Sequence, residues 1–136
     1  MTKHLKLIGM FLSLPLAGCD LGYIEPIYNL TSCPIQITSS LSDAPKMQGP
    51  YPILPGSADV SESGKKPEIY TQIIVTDGKS IEHRYDKDAL ALLRPSKSIL
   101  DRWGYTNEGL VFLNSTPEQE KLKQIAKQRC GAAAEL

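Results

Sequence analysis

The fold is decided by residues 69–85, which read IYTQIIVTDGKSIEHRY. Two runs rich in β-branched and aromatic residues flank the dipeptide Asp77-Gly78, and this combination favours a two-residue type I′ turn between antiparallel strands. Both faces of such a hairpin carry apolar side chains. We therefore expect the hairpin 69–85 to lie in the centre of its sheet.

A two-residue loop also fixes which residues of the hairpin face each other. It pairs Gln72 with His83 and Tyr70 with Tyr85, because one residue must be added on each strand for every step away from the turn. His83 then lies on the same face as Tyr70 and Tyr85. This predicted face is a candidate binding site that combines one imidazole with two aromatic rings.

The chain before the hairpin is also rich in β-strand signals, and the chain after it introduces helices. Before the hairpin we predict a strand at 34–39 with Ile35 and Ile37 inward, a proline-rich loop at 42–50, and a short strand at 51–54 ending in a Pro55-Gly56 turn. After it we predict a helix at 86–93 ended by Arg94-Pro95 and a strand at 109–114. The segment 96–104 between them is ambiguous, since Ser98 and Asp101 have the spacing to cap a turn of helix ending at Gly104. The last predicted element is a helix with Thr116 as N-cap, Pro117 at its first position and Gln119 in a capping box, running to about Arg129 with Leu122, Ile125, Ala126 and Cys130 on its buried stripe.

These elements predict an α+β fold that is mainly antiparallel β. We expect four to six strands around the central hairpin 69–85, with the C-terminal helix packed on the sheet. A chain of 136 residues, 41% of them hydrophobic, has room for one such domain.

The N-terminal segment differs from the rest of the chain. Lys3 and Lys6 precede an apolar run that ends in Leu16-Ala17-Gly18-Cys19. The run of about ten residues is half the length of a transmembrane helix and fits a cleaved export signal. Leu16-Ala17-Gly18-Cys19 resembles the lipobox of bacterial lipoproteins, and this resemblance covers about the first 20 residues.

The resemblance implies a series of modifications on Cys19. Its thiol would receive a diacylglyceryl group, the chain would be cut between Gly18 and Cys19, and the new amino group would be acylated. Two or three acyl chains hold a protein stably on a bilayer that it does not span. We therefore expect a signal peptide at 1–18, a lipid anchor and short tether at 19–28, one globular domain at 29–131 and a frayed tail at 132–136.

The resemblance also implies a location on the exported face of a bacterial membrane. Asp20 follows the lipidated cysteine and resembles a signal for retention in the inner membrane, while the outer membrane remains the alternative. Removal of Lys3 and Lys6 with the signal changes the net charge of the chain from 0 to −2. The basic residues are scattered and form no stripe, so we expect no nucleic-acid partner.

Export changes what the cysteines predict. With Cys19 consumed by lipid, Cys33 and Cys130 remain as an even pair in a compartment that permits disulfides. A bond between them would enclose nearly the whole domain. The alternatives are two buried free thiols or a host that makes few disulfides.

The chemistry available to the mature chain is limited. His83 is its only histidine, and the sequence lacks nucleophile, phosphate-binding and metal-binding motifs. We therefore expect no enzymatic activity, no cofactor and no metal. His83 is either a hydrogen-bonded residue of the sheet or, together with Tyr70 and Tyr85, a ligand contact. Trp103 and Tyr105 form either a binding patch or part of the core.

The function predicted from these observations is non-enzymatic binding. We expect a membrane-anchored lipoprotein that serves as an accessory module of an envelope or secretion assembly, with the bilayer and an envelope protein as its partners. An alternative is an inhibitor or an immunity or exclusion lipoprotein, for which the loop at 42–50 is the candidate contact. A third hypothesis, a small hydrolase, would require His83.

Overall fold

The computed structural model describes residues 26–41, 44–59, 69–95 and 101–131. The described elements are, in chain order, β1 (Ile27–Asn29), β2 (Ile35–Leu41), β3 (Ala44–Ile53), β4 (Ala58–Asp59), β5 (Tyr70–Thr76), β6 (Glu82–Tyr85), α1 (Lys87–Leu93), β7 (Trp103–Thr106), β8 (Gly109–Phe112) and α2 (Gln119–Lys127). Cys19, the signal segment and the tail at 132–136 lie outside the described residues.

The strands form two four-stranded sheets. Sheet I has the order β4-β1-β7-β8, and sheet II has the order β3-β2-β5-β6. All neighbouring strands are antiparallel except β1 and β7, which are parallel. The α+β class with mainly antiparallel sheets and a C-terminal helix on them is thus confirmed, although the described residues contain more strands than the four to six expected.

Both sheets contribute to one hydrophobic core. Its buried residues are Ile27, Trp103, Tyr105 and Leu110 from sheet I, Ile35, Ile37, Leu41, Ile53, Tyr70, Ile73 and Val75 from sheet II, and Leu90 from α1. The inward positions predicted for Ile35 and Ile37 are confirmed. Alternation of buried and exposed residues along β2 sets these positions, because successive side chains of a strand point to opposite faces.

The hairpin forms with a different register from the predicted one. Val75 pairs with His83 and Ile73 pairs with Tyr85, so the connection spans residues 77–81 and not two residues. The pairing of Gln72 with His83 was therefore wrong. The expected central position holds only for β5, since β6 is at the edge of sheet II.

The predicted loop at 42–50 is mostly strand. β3 begins at Ala44 and pairs with β2, with register shifts on either side of Ser39. Prolines are compatible with this strand because β3 is an edge strand, where a missing N–H on the open side breaks no hydrogen bond. The predicted turn at Pro55-Gly56 is confirmed.

Helix α1 begins and ends as its sequence predicts. The Asp86 side chain accepts a hydrogen bond from the Ala89 N–H at 2.8 Å and caps the helix. This cap satisfies one of the free N–H groups of the first turn. Leu90 is the buried residue of the helix, and Arg94 ends it before Pro95.

Helix α2 is shorter than predicted at both ends. Glu118 occupies the N-cap position without a side-chain hydrogen bond, so the predicted capping box at Thr116 does not form. Leu122 and Ile125 are buried as expected, whereas Ala126 and Cys130 are exposed. The helix ends before Cys130, which lies in the turn that follows.

Candidate binding surface

Asp77 organises the connection between β5 and β6. Its Oδ1 accepts hydrogen bonds from the N–H groups of Lys79 at 2.8 Å and Ile81 at 3.0 Å. Its own N–H donates to the Ile81 carbonyl at 3.0 Å. Aspartate favours such turns because its short side chain can replace backbone acceptors. The result is a compact loop, residues 77–81, held mainly by one carboxylate.

The second oxygen of Asp77 binds His83. The distance from Asp77 Oδ2 to His83 Nε2 is 2.9 Å, and both side chains are partly exposed. The hydrogen bond from His83, followed by that from the Ile81 N–H, lowers the pKa of Asp77 below its usual value. An ionised Asp77 is an acceptor only, which assigns the shared proton to Nε2.

His83 and Tyr85 of β6 contact residues of sheet I. The His83 ring lies 6.1 Å from the ring of the buried Tyr105 on β7, measured between centroids. The Tyr85 hydroxyl accepts a hydrogen bond from the Leu110 N–H of β8 at 3.2 Å. Burial, with the charges of Tyr85 and Asp77, raises the pKa of Tyr105 to about 12. Tyr85 and His83 thus fasten the edge strand β6 to the other sheet.

The disulfide lies directly behind the loop. Cys33 and Cys130 are bonded, with their Cα atoms 4.4 Å apart and a sequence separation of 97. A Cβ atom at Gly78 would lie 2.5 Å from the Cβ of Cys33 and 3.0 Å from its Sγ. Only glycine fits against the bridge at this place, so the disulfide and the loop 77–81 form one packed unit.

Asn29 joins the disulfide segment to the neighbouring turn. Its side-chain amide donates to the carbonyls of Cys33 at 2.8 Å and Ile53 at 2.9 Å, and its Oδ1 accepts from the Thr31 N–H at 3.0 Å. Its backbone carbonyl accepts from the Gly56 N–H at 2.9 Å. Asn29 is fully buried, so these bonds satisfy a polar side chain that would otherwise destabilise the core.

These contacts define what we call the loop end of the domain. It contains the end of β1 at Asn29, the disulfide and the loop 77–81. Two apolar side chains are exposed there: Leu54, which is 61% exposed, and Ile81, which is 52% exposed. They lie on the β3 side and the β6 side of sheet II, with the disulfide segment between them. A rigid surface with apolar points of contact is suited to binding a protein partner.

The opposite end of the domain, the entry end, is where β1 begins at Ile27. Ile27 pairs with Trp103, and the guanidinium carbon of Arg94 lies 5.6 Å from the Trp103 ring centroid. Asp101 is fully buried and accepts hydrogen bonds from Arg94 at 2.6 and 2.7 Å and from the Tyr70 N–H at 2.8 Å. No local sequence pattern indicates this buried ion pair, since the one local signal at Arg94 is the end of a helix before Pro95.

The residues predicted for binding fall into two groups. Tyr70, Trp103 and Tyr105 are buried. Of the two alternatives for Trp103 and Tyr105, a binding patch or part of the core, the structure has the core. His83 and Tyr85 are partly exposed on β6. The predicted group of Tyr70, His83 and Tyr85 does not form, because Tyr70 lies at the entry end with Arg94.

Comparisons with family models, with curated proteins and with solved structures find no match to the chain. Neither described helix is long and apolar enough to cross a membrane. Within the described ranges, no three His, Cys, Asp or Glu side chains are grouped to hold a metal ion.

Proposed function

We propose that the protein is a bacterial envelope lipoprotein, anchored through Cys19, that serves as a small non-enzymatic binding module of an envelope or secretion assembly. The observation that carries the proposal is Leu16-Ala17-Gly18-Cys19 after a short basic and apolar leader. Asp20 favours the inner membrane. The Cys33–Cys130 bond supports export, because structural disulfides persist mainly outside the reducing cytosol.

The position of β1 supports a short tether. The strand begins at Ile27, two residues before the predicted start of the domain, so only residues 20–26 separate it from Cys19. A chain of that length spans at most roughly 25 Å. The entry end would then lie near the bilayer, and the loop end would face away from it because β1 runs from the one end to the other.

The loop end is the proposed contact surface for an envelope protein. Leu54 and Ile81 supply exposed apolar area, and the disulfide with the Asp77 hydrogen bonds holds the surface in place. A preformed surface binds without the entropy cost of ordering a loop. His83 contributes a partly exposed polar group beside Ile81.

Neither alternative gains a supporting observation. The inhibitor hypothesis relied on a loop at 42–50, and most of that segment belongs to β3. The hydrolase hypothesis requires His83 to activate a nucleophile, and among the described residues the hydrogen-bond partner of its ring is Asp77, not a serine, threonine or cysteine. We therefore keep non-enzymatic binding as the proposal.

The lipid anchor is tested by replacing Cys19 with serine and fractionating the cells. We expect the Cys19→Ser variant to keep its leader and to lose the mass of the acyl chains. A double variant with Cys33→Ser and Cys130→Ser is the matched control, because it loses two cysteines but keeps the lipobox. A Cys19→Ser protein that is still cut and acylated would contradict the proposal.

The contact surface is tested by photo-crosslinking in cells. A photoreactive residue is placed at Leu54, at Ile81 or at Lys46, which is exposed on β3 within the segment that the inhibitor hypothesis would use. Capture of the same envelope protein from Leu54 and Ile81, and not from Lys46, supports the proposal. Capture of a foreign enzyme from Lys46 alone, or of no protein from Leu54 and Ile81, argues against it.

A further inference from the structure

The C-terminal half of α1 exposes an apolar segment to solvent. Leu92 is 88% exposed and Leu93 is 40% exposed, and their neighbours Ala91 and Pro95 are exposed as well. Leu92 is the most exposed of the large apolar residues in the described part of the chain. Leu90, two positions earlier, is buried, so the last turn of the helix is apolar on its outer side as well as on its inner side, whereas Lys87 and Asp88 are exposed in its first turn.

The one charged residue of this segment does not contribute charge to its surface. The Arg94 side chain is only 13% exposed. It turns inward, where it bonds to Asp101 and donates to the Tyr70 carbonyl at 2.9 Å. Residues 91–95 therefore present an outer surface without an exposed ionic group, which lowers the cost of placing it against an apolar phase.

The segment lies beside the point where the chain enters the domain. Arg94 stacks on Trp103, and Trp103 pairs with Ile27, the first residue of β1. Residues 20–26 connect that point to Cys19 and reach at most roughly 25 Å. Acyl chains on Cys19 would thus hold residues 91–95 close to the bilayer at all times.

We infer that the apolar segment 91–95 seats on the bilayer that holds the acyl chains, as a second membrane contact of the domain. The inference rests on the proposed lipoprotein function, which supplies the tether. Apolar side chains at an interface enter the boundary between head groups and acyl chains. Two contacts restrict the rotation of the domain on its tether, so the loop end is presented away from the membrane.

The experiment measures the depth of residue 92 in a lipid bilayer. Membrane affinity is unsuitable, because two or three acyl chains already give stable anchoring. Leu92→Trp and Tyr51→Trp variants of the lipidated protein are placed in vesicles that contain brominated phospholipids, which quench nearby tryptophan. Tyr51 is an exposed residue of β3 and serves as the matched control, while the buried Trp103 gives both variants the same background emission.

We expect bromine to remove roughly half of the added emission at position 92, because interfacial residues lie about 5–10 Å into the boundary region. The Tyr51→Trp variant is expected to lose no more than the wild type. A vesicle-bound protein without quenching at position 92 overturns the membrane contact and leaves the lipoprotein proposal standing. Shielding of position 92 from an aqueous quencher, without quenching by bromine, also overturns it and indicates contact with a second copy of the chain. A protein that lacks acyl mass and does not float with vesicles overturns both.

Discussion

Replacement of Asp101 by alanine removes the carboxylate that holds the entry end together. The side chain is fully buried and accepts three hydrogen bonds, two from Arg94 and one from the Tyr70 N–H. Without it the Arg94 guanidinium, which is largely buried, keeps its charge beside Trp103 and the Tyr70 carbonyl. Asp101→Ala therefore leaves a cation in an apolar site without its counter-ion.

The expected loss in the free energy of unfolding is about 3–5 kcal/mol, the usual cost of removing one partner from a buried ion pair. The exposed pair of Glu82 and Arg84 provides the contrast within the same chain. Solvent and salt screen such a pair, so Glu82→Ala is expected to cost at most about 1 kcal/mol. The free energy of unfolding of a small domain is about 5–15 kcal/mol, so Asp101→Ala removes a large part of the stability.

Urea unfolding followed by circular dichroism, with the disulfide intact in every variant, gives these energies. The double variant Asp101→Ala with Arg94→Met removes both charges and puts an apolar side chain beside Trp103. We expect it to be more stable than Asp101→Ala alone, since no unpaired charge remains. The reasoning is refuted if Asp101→Ala costs no more unfolding free energy than Glu82→Ala. It is also refuted if the loss in the double variant equals the sum of the losses measured for Asp101→Ala and Arg94→Met separately.

Three further predictions concern the loop end. Replacing Cys33 and Cys130 together by alanine should lower the unfolding free energy by about 2–5 kcal/mol, as measured by urea unfolding, and an unchanged value would mean that the bond constrains nothing. Gly78→Ala should lower the melting temperature, because its Cβ would lie 2.5 Å from the Cβ of Cys33. When both cysteines are replaced by alanine, residue 33 still has a Cβ, so Gly78→Ala should still lower the melting temperature there, but by less. An unchanged melting temperature in the Gly78→Ala variant would contradict the close contact. The pKa of Tyr105 is raised to about 12 from 10.0, so the folded state holds its proton longer, and the stability it contributes is fully present below pH 10 and lost as pH rises towards 12. This loss is at most roughly 2–3 kcal/mol; Tyr105→Phe should remove it from the alkaline unfolding curve, and an unchanged alkaline loss in that variant would exclude Tyr105 as its source.

Local signals predicted the elements that local chemistry controls. Helix α1 begins at the cap that Asp86 provides and ends before Pro95, since both effects operate within one turn of helix. The hairpin register was not predictable in the same way. The rule for Asp77-Gly78 describes backbone preferences, whereas the Asp77 carboxylate captures the N–H groups of Lys79 and Ile81 and lengthens the loop.

Features that depend on distant residues could not be predicted. The residues before Gly104 are ambiguous in sequence and allow a turn of helix, but Gly104 lies in β7, where pairing with β1 and β8 decides the structure. No local pattern indicates that Asp101 accepts a hydrogen bond from Tyr70, or that Asn29 bonds to Ile53. The edge position of β3 is equally non-local, and it is what permits a proline-rich strand.

The candidate surface shares this dependence on distant contacts. Leu54 directly follows β3 and Ile81 directly precedes β6, and the segment between them is fixed by a bond from Cys33 to a cysteine near the end of the described chain. Helix α2 has nine residues and would be marginal alone, so the bridge that follows it holds both the helix and the loop 77–81 in place. Because β1 enters from the opposite end, the proposed tether and the candidate surface would not compete for space. A domain of this size can in this way present a rigid surface on one side while its chain is attached on the other.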